Sequence, residues 1–230
     1  MTLYLIPQFS FDPKLKDRLR VLYNHISPEV LLTNVSNEDL VDYDNFHASV
    51  YNELGSRINL DNGDKQKLDK LMNRIEEIHL SDYLMNEEFS KERNLEHHLI
   101  GIPNGRKRRL ESIGIELVSH LKINSDVGKM LRYFSGEIPP DLISDEWNRI
   151  LKYERGLFLE LDNLINRFIH GFIGKKDKFL ESEIREIYEG KVTALPIEMI
   201  HCEDSLTKST LYSRIKDLNP IRKPAFIVYE

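Results

Sequence analysis

The chain has 230 residues, 40% apolar and 30% charged, with a formal net charge of −6. That length is one large domain's worth and allows a substantial core, while the negative balance argues against a general polyanion binder but not against a local basic patch. A single cysteine, Cys202, excludes an internal disulfide and a cysteine zinc cluster, and no apolar run approaches the ~20 residues that span a bilayer. Met1–Pro7 has neither a basic n-region nor a small-residue cleavage site, so it does not read as a signal peptide. The expectation is a soluble, cytoplasmic protein with no membrane span.

In chain order, Leu3–Phe9 is a short apolar run of β-formers and predicts a strand. Asp12-Pro13 then supplies a helix start, an N-cap acceptor followed by proline at the first helical position. Leu15, Leu19, Leu22, Tyr23 and Ile26 recur at helical spacing behind it. Ser27-Pro28 ends that helix, because the residue before proline avoids the α region. Glu29–Val35 (EVLLTNV) predicts a second strand. Strand, helix and strand at these lengths suggest a βαβ unit with the two strands as parallel neighbours.

Ser36-Asn37-Glu38-Asp39 predicts a cap for a helical stretch to about Leu54, and Asp61–Asp64 a turn. Leu68, Leu71, Met72, Ile75 and Ile78 form an amphipathic stripe reaching towards Phe89. The region 37–95 therefore reads as a helical insertion between strands. His98–Pro103 predicts a third strand and 106–121 a helix; after a break at Gly136–Pro140, a long helix runs from Ser144 to about Phe172. Phe179–Tyr188 predicts a shorter helix closed by Gly190. Val192–Ile197 and Ala225–Tyr229 read as late strands, with a helix near Leu206–Leu218 between them. Strands at both ends of a helical middle predict a single α/β domain over 1–230, its mostly parallel sheet built from N- and C-terminal strands.

Several short motifs suggest a family. Leu3–Pro13 and Ser27-Pro28-Glu29-Val30-Leu31-Leu32 have the layout of a strand, a turn, a helix and a second strand opening on Pro-acidic-Val. Tyr133–Glu137 gives a tyrosine-glycine-acidic turn, Tyr153-Glu154-Arg155 a Glu-Arg pair on a helix, and Lys191–Met199 a late strand. In these features the chain resembles the TraB/PrgY/TIKI family, relatives of the ChaN/erythromycin-esterase-like fold. The resemblance implies a metallohydrolase site built on two Gly-x-x-His motifs at strand ends, with the Glu-Arg pair beside them. Here the first motif's glycine is Pro7 and its histidine Ser10; at the second, glycine falls on Pro196 and histidine on Met199, with His201 two residues on. Neutral imidazoles could bind a divalent metal or transfer protons, whereas serine is a poor transition-metal ligand and methionine transfers no proton. The resemblance thus implies a member with a degenerate site, leaning away from an enzyme and towards a binding or regulatory protein with no cofactor. The alternative is a metal-assisted hydrolase with a rearranged site using Glu154, Arg155, His201 and Ser10, which alone would call for a divalent metal.

Other residues carry weaker signals. His97-His98 cannot chelate one ion, because adjacent strand residues point to opposite faces. His201-Cys202-Glu203-Asp204 is too tightly spaced for a tetrahedral site without outside ligands and reads as a polar turn opening a helix. Nothing in the sequence supplies Cys202 with a base. Arg106-Lys107-Arg108-Arg109 follows Pro103-Asn104-Gly105 at an expected helix N-terminus, where cations oppose the helix dipole. A phosphate or other anionic partner there would reverse that penalty, so a phosphate- or nucleic-acid-binding module is a third functional reading. On that reading, neutralising all four residues lowers the slope of log affinity against log salt by about 0.7–0.9 per lost phosphate contact. Titrating a short single-stranded nucleic acid at several salt concentrations checks this; unchanged affinity and slope return the cluster to ordinary surface.

Overall fold

In the computed structural model, the described residues are 2–8, 12, 14–40, 66, 69–70, 72–73, 77, 79–103, 163–204 and 210–225. They form a five-stranded, wholly parallel sheet with helices on both faces. The strands are β1 (Thr2–Gln8), β2 (Val30–Thr33), β3 (Glu96–Leu99), β4 (Val192–Glu198) and β5 (Ile221–Arg222), in the order β3-β2-β4-β1-β5. Helices α1 (Leu15–Ile26), α2 (Ser81–Arg93), α3 (Asn163–Ile187) and α4 (Leu211–Arg214) connect or follow them. Among the described residues, no helix is long and apolar enough to cross a membrane.

Alternation along the strands sorts the core into two halves. Leu3, Leu5, Val30, Leu32, Leu195 and Ile197 face Leu180 and Ile184 of α3 and Leu211 of α4. Ile6, Leu31 and Ala194 face Leu15, Leu19, Leu22 and Tyr23 of α1, with Met85 and Phe89 of α2. Tyr23 and Phe89 meet edge to face, their ring centroids 5.3 Å apart. Within the expected 37–95 insertion, α2 is therefore part of a covering layer. Its apolar stripe packs on the sheet beside α1.

The expected pairing of β1 with β2 is corrected: β4 lies between them. Thr2–Gln8 pairs along its whole length with Val192–Glu198, and β2 pairs with β4 on its other side. A strand-helix-strand pattern implies parallel direction but not adjacency. Central places go to strands buried on both faces, and Thr193–Ile197 is buried without a break. The β2–β4 ladder stops at Leu31 opposite Ala194. Glu29 N–H donates to Val192 O at 2.7 Å, so alternate residues of β4, including 194 and 196, turn their backbone groups towards β2. Pro196 has no hydrogen to donate there, which accounts for the ladder ending and leaves β2 and β4 unzipped at their carboxyl ends.

Local chemistry sets the element ends. Asp12 Oδ1 accepts from Lys14 N–H at 3.0 Å, and Ser27 takes the left-handed conformation (φ 49°) that stops α1. Ser36 and Asp39 form the expected reciprocal capping box, here around a single 3-10 turn, Asn37–Asp39. β3 begins at Glu96, two residues before the expected strand. Of the expected helix near Leu206–Leu218, the described part is α4, capped by Thr210, and a 3-10 turn at Lys216–Leu218; a separate 3-10 turn, Met199–Cys202, follows β4 directly. Helix α3 runs unbroken to Ile187 where two helices are expected. β5 precedes the expected Ala225–Tyr229 strand, of which only Ala225 is described.

Just beyond β2 and β3 the two backbones touch. Gly101 N–H donates to Val35 O at 3.0 Å, and a Cβ on Gly101 would lie 2.4 Å from Val35 C and 2.6 Å from Ser36 N. These are backbone atoms and cannot swing aside. Gly101→Ala is expected to cost about 1–3 kcal/mol by overpacking, read as a lower urea midpoint; an unchanged midpoint would show that the two loops separate freely.

Candidate functional site

In parallel α/β sheets ligands bind outside the carboxyl ends of the strands, where neighbouring strands send their connections in opposite directions. The chain leaves β1 towards β2 on one side and leaves β4 towards β5 on the other, and β1 and β4 are neighbours. Their carboxyl ends, Gln8 opposite Glu198, therefore mark the switch point.

The rim around that point is polar, yet largely buried. Gln8 Nε2 donates to Asp82 Oδ2 at 3.1 Å, and both residues lie in the interior. Asp82 sits in the first turn of α2, where the helix dipole favours a carboxylate. Past β1, buried Asp12 meets Arg18 Nη1 at 3.0 Å. Burial pushes the Asp12 carboxyl above its ordinary value; the Lys14 backbone N–H and the Arg18 guanidinium pull it back.

His201 stands in the 3-10 turn that follows β4 and is 2% exposed. Its Nδ1 lies 2.6 Å from Asp177 Oδ1, and its Nε2 lies 3.7 Å from Glu198 Oε2. Asp177 is fully buried on α3, and its Oδ2 accepts from Leu211 N–H at 2.6 Å, at the start of α4. One carboxylate thus holds both the His201 turn and the end of a helix against α3. An imidazole with a carboxylate on Nδ1 is oriented for acid–base chemistry when Nε2 faces a reactant. Here Nε2 faces Glu198, and the arrangement works as an internal joint.

Of the expected catalytic and anion-binding residues, His201 alone lies in the described region. Ser10, Glu154 and Arg155 lie outside the described residues, as does the cluster Arg106, Lys107, Arg108 and Arg109. Met199, at the second motif's histidine position, is buried in the core, and Cys202 is buried beside it. His97 and His98 do not act together: His97 Nε2 lies 2.8 Å from Thr33 Oγ1, and His98 Nε2 lies 3.7 Å from Glu96 Oε2. Among the described residues, no three His, Cys, Asp or Glu side chains gather to hold a metal ion.

Asp177, Gln8, Asp82 and Glu198 were not singled out from the sequence. Asp177 had a signal. It lies three and seven residues before Leu180 and Ile184, in the buried stripe of α3, where a carboxylate needs a partner. Asp82 is likewise in line with Met85, Asn86 and Phe89 on α2.

No family model matches the chain, nor does any curated protein or solved structure.

If the His201–Asp177 contact joins α3 to the post-β4 turn, removing one partner strands the other in the interior. Asp177→Ala is expected to cost about 3–5 kcal/mol, and His201→Gln in that background to add little. A double-mutant cycle by urea unfolding should give a coupling of about 1 kcal/mol or more; additive effects would show that the contact does no structural work.

Proposed function

We propose that this chain is a binding or regulatory domain of the TraB/PrgY/TIKI type whose catalytic site is degenerate, with its ligand edge at the carboxyl ends of β1 and β4. The observation that carries this reading is the placement of His201. It is the histidine nearest the family's second motif, and it is buried with a carboxylate at each ring nitrogen. In the interior its two ring nitrogens face carboxylates of this chain, Asp177 and Glu198, rather than an incoming metal or reactant. Pro7, Pro196 and Met199, at three of the motif positions, belong to the sheet and its core and have no chemistry to offer in their place.

The competing hydrolase reading requires His201 to turn outward and meet Glu154 and Arg155. The two are separated by metal content and turnover. Elemental analysis after mild purification is expected to show no stoichiometric zinc, manganese or cobalt. Ester, phosphoester and peptide hydrolysis with each metal added should be equal in the unaltered protein and in His201→Gln. About one equivalent of metal that is lost in His201→Gln, or turnover abolished by that change, would establish the hydrolase instead.

A further inference from the structure

On the α1–α2 side of the sheet, a chain of buried hydrogen bonds runs from helix to strand to the sheet's edge. Tyr23 Oη donates to Asn86 Oδ1. Asn86 Nδ2 donates to Leu32 O at 3.1 Å and to Thr33 Oγ1 at 2.7 Å, and Thr33 Oγ1 lies 2.8 Å from His97 Nε2. Tyr23, Asn86 and Thr33 are fully buried. We propose that His97 is a proton-operated latch, which holds α2 and β3 on the sheet while neutral and releases them when protonated.

The directions of the hydrogen bonds make the argument. Burial pushes the Tyr23 phenol well above its ordinary value, with the Asp82 charge adding to the shift, so the hydroxyl stays a donor. Asn86 must therefore present its oxygen to Tyr23 and its amide hydrogens to Leu32 and Thr33. With an Asn86 hydrogen pointing at its oxygen, Thr33 has its own hydrogen to send to His97 Nε2, and the latch takes that nitrogen as the bare one of a neutral ring. Protonation puts a hydrogen on that nitrogen. Thr33 then faces a donor on each side, and among the described residues no further acceptor takes its hydroxyl hydrogen. A buried donor without a partner is costly, and α2 is the element that bears the cost, because Asn86 is its link to β2.

The charges around the ring favour the same state. His97 is faced by Asp82, Tyr83 and Glu87 of α2, by His98 on its own strand and by Thr33 of β2. Burial holds the imidazole below its ordinary value of 6.5; Glu87 and Asp82 oppose this and His98 adds to it. A lowered folded-state value means that an opened form takes up the proton which the closed form resists. Closure is thus fully supported above about pH 6.5 and weakens as pH falls towards the folded-state value.

Amide hydrogen exchange of the unaltered protein, corrected for the intrinsic rate at each pH, reads the latch. Between pH 8 and pH 5.5 the opening constant of α2 and β3 is expected to rise by up to about tenfold, the factor for one pH unit below an open-state value near 6.5. The amides of β1 and β4 are expected to change less. His97→Gln, whose amide oxygen can accept from Thr33 at any pH, should abolish the rise, and His98→Gln should keep it. Imidazole nitrogen chemical shifts of the unaltered protein at pH 8 should show His97 with its hydrogen on Nδ1, and this holds the test open should His97→Gln fold poorly. A flat response in the unaltered protein, an equal rise in His97→Gln, loss of the rise in His98→Gln, or a hydrogen on Nε2 at pH 8 would each overturn the proposal.

Discussion

The full-length pairing of β1 with β4 holds the rest of the structure together. It joins a strand at one end of the sequence to one near the other, residue for residue from Thr2–Val192 to Gln8–Glu198. Because β4 is apolar on both faces, it completes both halves of the core at once. Leu195 and Ile197 go to the α3 side, and Ala194 goes to the α1–α2 side. The same strand also positions the candidate site. Glu198 ends it, His201 turns back over its carboxyl end, and Pro196 frees the neighbouring edge of β2.

Each side of the sheet carries a buried polar assembly near the carboxyl ends of the strands. On the α3 side, Asp177 joins His201 and the start of α4. On the opposite side, Asn86 joins Tyr23, Leu32 and Thr33. Such groups are expensive in a low-dielectric interior unless they are paired, and when paired they prescribe one arrangement of the elements they join. Ion pairs between α1 and α2, where Arg20 reaches Glu88 and Glu92, are exposed and add little by comparison. The rim of the sheet is thus positioned by interior polar contacts more than by surface charge.

What could be read from the sequence was local. The end of α1 at Ser27 and the cap at Ser36 depend on residues within four positions of one another, and both are present, whereas α1 starts at Leu15 behind Lys14 and not at Asp12, whose carboxylate accepts from Lys14 N–H. The parallel α/β class was legible from the same strand-helix-strand rhythm. The order of strands was not, because β4's place between β1 and β2 depends on contacts across most of the chain. Helix α3 runs through the stretch between the expected Ser144–Phe172 and Phe179–Tyr188 helices, where the apolar pattern lapses over Gly174–Lys178 and glycine has a low helix preference. Packing of Leu180 and Ile184 against the sheet outweighs that local preference. On the continuous helix Asp177, the site's main carboxylate, shares a stripe with Leu180. His201 was visible as a titratable residue beside a strand end, but the partners that decide its role come from α3 and from β4's last residue.

The place of β4 also constrains how the chain can fold as it is synthesised. β1, α1 and β2 are synthesised before β4, with a strand-wide gap between β1 and β2 that, among the described residues, no earlier segment fills. Adjacent strands lie about 4.8 Å apart, so the two cannot simply close on each other without losing their register to the helices that cover them. Until Val192–Glu198 emerges, β1 and β2 each present an unpaired edge flanked by Leu3, Leu5, Leu31 and Leu32. Pairings of such sequence separation form slowly, and unpaired apolar edges are prone to meet those of other chains. Nascent chains halted before β4 should therefore be strong clients for chaperones, and release of that strand should be the step that ends their dependence.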